Sequence, residues 1–244
     1  YKERVSTGSV NRMILMGDVK DKICFIMDDM IDTAGTACKA CEVLKDNGYT
    51  TGHFGKWHLG TLTTKEKDAN RGGPKNPHLY NPPSRHGYDQ FFVTESKVPT
   101  WDPNKKPASF GKPESLGYGW NALKKGEPYD GYGTAFWDNM GKVTKNLEGC
   151  ASRVVMDRAV PFIKKAAKTN TPFLAVIWFH APHLPVVAGP EYAEIYKDQS
   201  FRMQQYAGCI TAIDDQIKRL RKELQALGIE EDSTLMTKFL SSGR

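Results

Sequence analysis

Seven consecutive apolar side chains, Phe173 to Phe179, run through the segment TPFLAVIWFH. A strand with one wet face alternates apolar and polar residues, so an unbroken run predicts a strand covered on both faces, at the centre of a parallel α/β sheet. The chain then turns through HAPHLP, which delivers His180 and His183 just past the strand's C-terminal end. Open α/β sheets place their ligands at that end. Pro182 and Pro185 stiffen the turn.

The other segments fit around that strand. Residues 23–27, ICFIM, are a shorter apolar run that leads into DDMIDTAGT and then a helix from about Ala34 to Asp46, closed by Gly48. Residues 61–135 hold nine of the chain's fourteen prolines and read as a loop-rich insertion pinned by Trp101, Phe110 and Trp120. Val154, Val155, Ala159, Phe162 and Ile163 form a helical stripe that Pro161 is expected to kink. Met203, Tyr206, Ile210, Ile213, Ile217, Leu220 and Leu224 recur at spacings of three and four, which predicts a long amphipathic helix with a basic outer face over 201–227, capped by Gly228. A last strand is expected from about Thr234 to Leu240. The fold class is therefore α/β, a mixed and mainly parallel sheet with helices on both faces and a long Pro/Gly-rich insertion.

The chain carries 34 Lys and Arg against 28 Asp and Glu. Residues 1–47 hold 7 basic and 8 acidic side chains and the remainder 27 and 20, so the positive excess lies in the larger piece. That bias favours an anionic small-molecule partner. No basic stripe or stacking platform accompanies it, which excludes nucleic-acid recognition. No run is long enough to span a bilayer, and YKERVSTGSV is not a signal peptide. The five cysteines, Cys24, Cys38, Cys41, Cys150 and Cys209, are an odd number that argues against a closed disulfide framework. Cys38 and Cys41 fall within a helical segment and read as buried thiols rather than a redox or metal pair.

Two further strings carry chemistry. In DDMIDTAGT, backbone N–H groups of a Gly/Thr loop and of the helix after it suit a phosphate, with Thr33, Gly35 and Thr36 as its cradle. Asp28, Asp29 and Asp32 suit ribose hydroxyls or a magnesium-linked sugar phosphate. In GKWHLG, Lys56 and His58 stand two apart, so on an extended segment both cationic groups face one anion. The lysine supplies permanent charge, and the histidine can donate a hydrogen bond or a proton to a leaving oxygen. A surface lysine beside a packed histidine is the competing structural reading.

DDMIDTAGT and the upstream KERVSTGSVNRMILMGDVKDK resemble ribose-phosphate diphosphokinase (phosphoribosyl pyrophosphate synthetase) over about residues 1–47. The resemblance implies a phosphoribosyltransferase-like strand-loop-helix fragment, Mg2+ as its ion, and a loose match of Lys2 and Arg4 to a basic catalytic loop. The remainder, 48–244, is similar to another family. GYTTGHFGKWHLG, HAPHLP, RHGYDQFF, WDNM and YAGCITAIDDQIKRL resemble the type I sulfatases, of the alkaline-phosphatase-like fold, over about residues 42–239. That resemblance implies hydrolysis of sulfate esters with a calcium ion. Lys56 and His183 would contact the sulfate, His58 would assist the nucleophile, and His180 would support. Asp214 and Asp215 read as structural residues of the long helix. Members are often secreted, periplasmic or lysosomal.

The sequence departs from the sulfatase pattern at the reacting atoms. The family makes formylglycine from the Cys or Ser of C/S-x-P-x-R, and no such motif occurs among the 244 residues. Ser241 and Ser242 stand where an Asp and an Asn of the metal site belong. Hydroxyls are poorer calcium ligands than carboxylates. Asp28 and Asp29, just past the ICFIM strand, are the candidate substitutes. The expectation is a sulfatase-like chain fused to a diphosphokinase fragment, inactive in hydrolysis, with a non-catalytic anion-binding module and a diphosphokinase fragment as the alternatives. Exposed sheet edges predict a partner or a second copy completing the sheet.

Overall fold

A computed structural model describes residues 2–6, 9–13, 35–107 and 131–233, with side chains from Cys41 onward. Strands β1 (Lys2–Ser6) and β2 (Ser9–Met13) form an antiparallel pair of their own. The expected 23–27 strand, the Asp28–Thr33 turn and the 234–240 strand lie outside the described residues.

The main sheet has five strands in the order β6-β5-β4-β3-β7, namely β3 (Thr50–Lys56), β4 (Gln90–Thr94), β5 (Phe136–Asp138), β6 (Gly141–Val143) and β7 (Phe173–Trp178). β3 runs parallel to β4 and to β7, while β5 and β6 continue the sheet in antiparallel pairing. The mixed, mainly parallel α/β sheet is as the sequence implies. Two placements are not. β7 lies at the sheet's edge among the described residues, and Ala175 to Trp178 are only half-buried, although the unbroken apolar run predicts a central strand. An apolar run reports coverage of the two faces and carries no information about pairing along the edge. Second, β4 lies inside the loop-rich 61–135 stretch and sits next to the sheet's central parallel strand. Prolines on both sides of QFFVT hide that strand in the composition.

Helices cover both faces. α1 (Gly35–Asp46) stops at Gly48 with a positive φ, as expected of a left-handed cap. α2 (Ala151–Lys168) passes through Pro161 without ending. α3 (Pro190–Ile195) is a short turn before α4 (Phe201–Ala226), which Ser200 caps by accepting the Met203 amide. The alternation of β4 sorts the core into two halves. Phe92 joins Phe54, Phe136, Val154, Val155, Met156, Phe162 and Leu220 under α2 and α4, while Phe91 and Val93 join Cys41, Leu44, Tyr49, Trp57 and Tyr88 under α1. Each such large side chain removed from water contributes about 1.5–3 kcal/mol.

The phase of α4 differs from the expected stripe. Met203 and Tyr206 are exposed, and the buried line begins at Gln205, Gly208, Cys209 and Ala212 before rejoining Ile213, Leu220 and Leu224. Gly208 faces Ala188 and the Tyr192 backbone at a distance that leaves no room for a Cβ, so close approach of the chain selects this face. Cys41, Cys150 and Cys209 are buried free thiols, and burial raises Cys41 to about 11 and Cys209 to about 12. Cys24 and the side chain of Cys38 are outside the described part.

Candidate functional site

The three parallel strands end side by side. In register, Lys56 pairs with Thr94, and Gly55 pairs with Val93 on one side and Trp178 on the other. The segments leaving the three strands therefore meet on one edge of the sheet: Lys56-Trp57-His58 after β3, Thr94 to Lys97 after β4, and His180 to His183 after β7. Gly55 makes this junction close. Its φ is 109°, and a Cβ there would lie 1.9 Å from the Trp178 carbonyl oxygen.

The ladder runs past Lys56. Trp57 N–H donates to the Thr94 carbonyl (2.8 Å) and His58 N–H to the Glu95 carbonyl (3.1 Å). Trp57 is 1 % exposed and its indole N–H donates to the Asn81 carbonyl at 2.7 Å, so an aromatic anchor separates the two cationic side chains. His58 has a φ of 56°, so the extended geometry assumed from the i, i+2 spacing ends here. The turn nevertheless leaves its ring close enough to Lys56, Arg71 and His183 for their charges to act on it.

The four histidines of these segments divide sharply. His53, inside β3, is fully buried with no hydrogen bond on either ring nitrogen among the described residues, and the rings of Trp57, Tyr88 and Trp178 stand edge-on at 5.1, 5.2 and 4.7 Å. Burial lowers it to about 3. His180 is 2 % exposed and its Nε2 lies 2.8 Å from the Thr94 hydroxyl. That hydroxyl donates to the Ser96 carbonyl at 2.6 Å, so its oxygen accepts from His180, which sets the Nε2–H tautomer and leaves Nδ1 a buried lone pair with no partner among the described residues. Burial, then the charges of Lys56 and His183, lower His180 to about 3. His58 and His183 reach solvent. Partial burial and the charges of Lys56, Arg71 and His183 lower His58 to about 4. Partial burial is the first cause of the lowering at His183, where Lys56 and Lys97 act in the same direction. Its Nδ1 is 2.7 Å from the Leu184 carbonyl, which can only accept, so the neutral ring is the Nδ1–H tautomer and turns Nε2 outward as a lone pair.

Lys56 is half-buried; desolvation lowers its pKa and the charge of Glu95 raises it again. Burial lowers Lys97 as well, and Lys56 adds to that shift. The structure thus brings Lys56, His58, His180 and His183 together, and adds Thr94, Lys97, and the ion-paired Arg71 and Glu95. The added groups have no motif of their own. They become visible only once β4 is placed beside β3. Asp28, Asp29, Asp32 and Thr33 lie outside the described residues, and Gly35 and Thr36 open α1 without described side chains. Asp214 is exposed, and Asp215 accepts from the Tyr192 hydroxyl at 3.0 Å. A positive strand-end edge with outward imidazole nitrogens can hold an oxyanion and exchange protons with it.

The sulfatase family model matches residues 41–237, which includes every strand and helix that builds this edge. The chain belongs to the sulfatase family. It is 25% identical over 227 residues to the ulvan-active sulfatase of Formosa agariphila, covering 86% of this chain and 36% of that protein. Crystal structures of Ps i-CgsB share the fold, with a TM-score of 0.54 in the complex with k-i-k-neocarrahexaose, 23% identity, and 77% of this chain against 36% of that one. A putative sulfatase from Bacteroides fragilis, yidJ, superposes with a TM-score of 0.50 and 20% identity, covering 79% of this chain and 41% of that one. The chain thus spans about a third of the length of the sulfatases it matches. A separate match covers the amino terminus. Ribose-phosphate pyrophosphokinase 3 of Saccharomyces cerevisiae is 57% identical over 47 residues, which are 19% of this chain and 15% of that protein.

Sulfatases as a family use calcium. Among the described residues no group of three or more His, Cys, Asp or Glu is placed to hold a metal ion, and the candidate donors Asp28 and Asp29 lie outside them. The described strand-end edge, cationic apart from Glu95, does not fit a calcium ion, which takes six or more oxygen ligands. No helix of the described residues is long and apolar enough to cross a membrane.

Proposed function

We propose that this sulfatase-family chain holds the sulfate group of a sulfate ester at the shared end of β3, β4 and β7, and does not turn it over. The observation that carries the reading is the convergence of Lys56, His58, His180 and His183 at one strand-end edge from two sequence motifs more than 120 residues apart. Lys56 supplies the permanent charge. His183 meets an anion through Nε2 only after that nitrogen gains a proton, because Nδ1–H is spent on the Leu184 carbonyl. His58 stands beside it as the second proton carrier. His180 supports from the buried side through Thr94.

Hydrolysis by the family's route needs a formylglycine, and none of the five cysteines stands in C/S-x-P-x-R. The amino-terminal 1–47 fragment and the 48–244 sulfatase-like part are read as two pieces of different origin. Mg2+ and a sugar phosphate belong to the first, with Asp28, Asp29, Asp32, Thr33, Gly35 and Thr36 as its candidate contacts. The edge of β7, which pairs with no further strand among the described residues, is read as the place where a second copy completes the sheet, giving a concentration-dependent dimer in sedimentation.

The test is hydrolysis of 4-nitrophenyl sulfate by purified protein with and without calcium, paired with mass spectrometry of every cysteine-containing peptide. No turnover and five unmodified cysteines are expected. Calcium-dependent turnover that disappears in Lys56→Ala would overturn the non-catalytic reading.

A further inference from the structure

The loop that carries His183 cannot hold itself. The prolines of HAPHLP remove backbone donors, and from His180 to Val187 the one backbone hydrogen bond internal to the loop, among the described residues, runs from the His183 amide to the His180 carbonyl at 2.8 Å. Its fixings come from the segment that leaves β4. Thr94 takes the His180 ring at the near end. At the far end stands Thr100, 4 % exposed, whose hydroxyl donates to the Val187 carbonyl and accepts the Val187 amide, each at 2.7 Å. The Thr100 amide donates to the Pro185 carbonyl at 3.2 Å. Its own carbonyl receives the Ala151 amide at 3.0 Å, which satisfies one of the orphan donors at the start of α2. Every polar group of this threonine is thus spent, and all but the last on the loop.

The clamp has a firm base. Between the two threonines Val98 is fully buried in the core under α2, and Pro99 beside it is buried as well. Past Val187 the Ala188 amide donates to the buried Gln205 side chain of α4, so the loop has a fixed exit. His183 lies between these fixings, and its Nδ1–H reaches the carbonyl of the very next residue, Leu184, at 2.7 Å. That bond closes for one shape of the 183–185 backbone, and the Pro185 carbonyl at the end of that stretch is held by Thr100. Resting on the sulfate-binding reading above, we propose that Thr100 is a positioning residue of the anion site, holding the 183–187 backbone in the shape that keeps the His183 ring in its Nδ1–H tautomer with Nε2 turned outward.

A threonine that merely fills the core predicts something else. Loss of its hydroxyl would then lower stability and leave the His183 ring as it is. As a clamp, the same loss also frees the ring.

The experiment reads that ring without sulfate. Protein carrying 15N-labelled histidine is followed by long-range 1H–15N correlation NMR at about pH 8, where the neutral imidazole dominates, with the His183 signals assigned by their loss in His183→Asn. Thr100→Val keeps the side-chain shape and removes the hydroxyl. In it the Nδ1–H form gives way to the Nε2–H form that a free imidazole favours, while Thr100→Ser, which keeps the hydroxyl, restores the wild-type spectrum. An unchanged His183 tautomer in folded Thr100→Val overturns the proposal. So does an equal change in Ile163→Val, a core substitution in α2 that loosens the fold without touching the loop. Should Thr100→Val not fold, Thr100→Cys decides alone, because its thiol makes weaker bonds from the same place, and an unchanged tautomer there again overturns the proposal.

Sulfate calorimetry on the same proteins separates the two readings. The charged and titratable groups around His183 are Lys56 and His58 at the end of β3, Lys97 after β4 and His180 on its own loop, and these substitutions alter none of them. Thr100→Val loses most of the several-fold gain in sulfate affinity between pH 7 and pH 5, and Thr100→Ser keeps it. A tautomer that moves in a chain that binds no sulfate supports the clamp and sinks the function reading alone.

Discussion

Two histidines of the GHFGKWHLG segment and two of FHAPHLP differ only in how far along their strand each stands. His53 and His180 are sealed into the interior, the first among three aromatic rings and the second against Thr94, whereas His58 and His183 reach solvent just beyond the strand ends. The inner pair is neutral because burial forbids the charge. The outer pair is neutral because partial burial and neighbouring cations discourage it, and an arriving anion relieves the cation repulsion. One residue type thus serves as packing at one depth and as a proton carrier a few ångströms further out.

The largest test of that division is acid stability. Histidine in an unfolded chain titrates near 6.5, and His53 and His180 are lowered to about 3 in the fold. Their contribution is whole above pH 6.5 and is lost as pH falls toward 3, because the unfolded chain binds protons that the folded one refuses. Urea unfolding should lose about 2 kcal/mol per buried histidine between pH 7 and 5. A stability flat over that range would mean these rings are not sealed. Next in size, Lys56→Ala should weaken inorganic sulfate about thirtyfold, ~2 kcal/mol, with no change in melting beyond a degree or two. Thr94→Val removes the acceptor of the His180 Nε2–H and should cost about 1–2 kcal/mol of stability, read by denaturant titration, because a buried donor is left unpaired. The smallest effect sharpens the outer pair. Sulfate should bind several-fold more tightly at pH 5 than at pH 7, as His183 and His58 gain protons. His183→Asn should remove most of that gain while leaving the pH 7 affinity nearly intact.

Much of this site is legible in the residues themselves, and the parts that are not share one cause. HAPHLP announces a cationic edge because it comes directly after an apolar strand, and strand ends are where an α/β sheet exposes side chains, while GKWHLG announces it through two cationic side chains two residues apart. Arg71, Thr94, Glu95 and Lys97 reach the site through β4 and its flanking turns, inside a stretch whose nine prolines read as loop. Their pairing with β3 is a long-range fact that no local pattern encodes. The same limit explains β7, whose apolar run reports two covered faces but not which strands flank it, and α4, whose first turns rotate because Gly208 lets the chain pass close to Ala188. Gln205 on the buried line is no accident of polarity, since its side-chain carbonyl accepts the Ala188 amide at 2.9 Å.

Whether the strand-end edge is an oxyanion site anchored by Lys56 is tested most directly by isothermal calorimetry, titrating sodium sulfate into the protein and into Lys56→Ala at pH 6. Saturable one-to-one binding to the first and about thirtyfold weaker binding to the second is the predicted result. Equal affinity for the two proteins, or no saturable binding by a folded wild type, would contradict it.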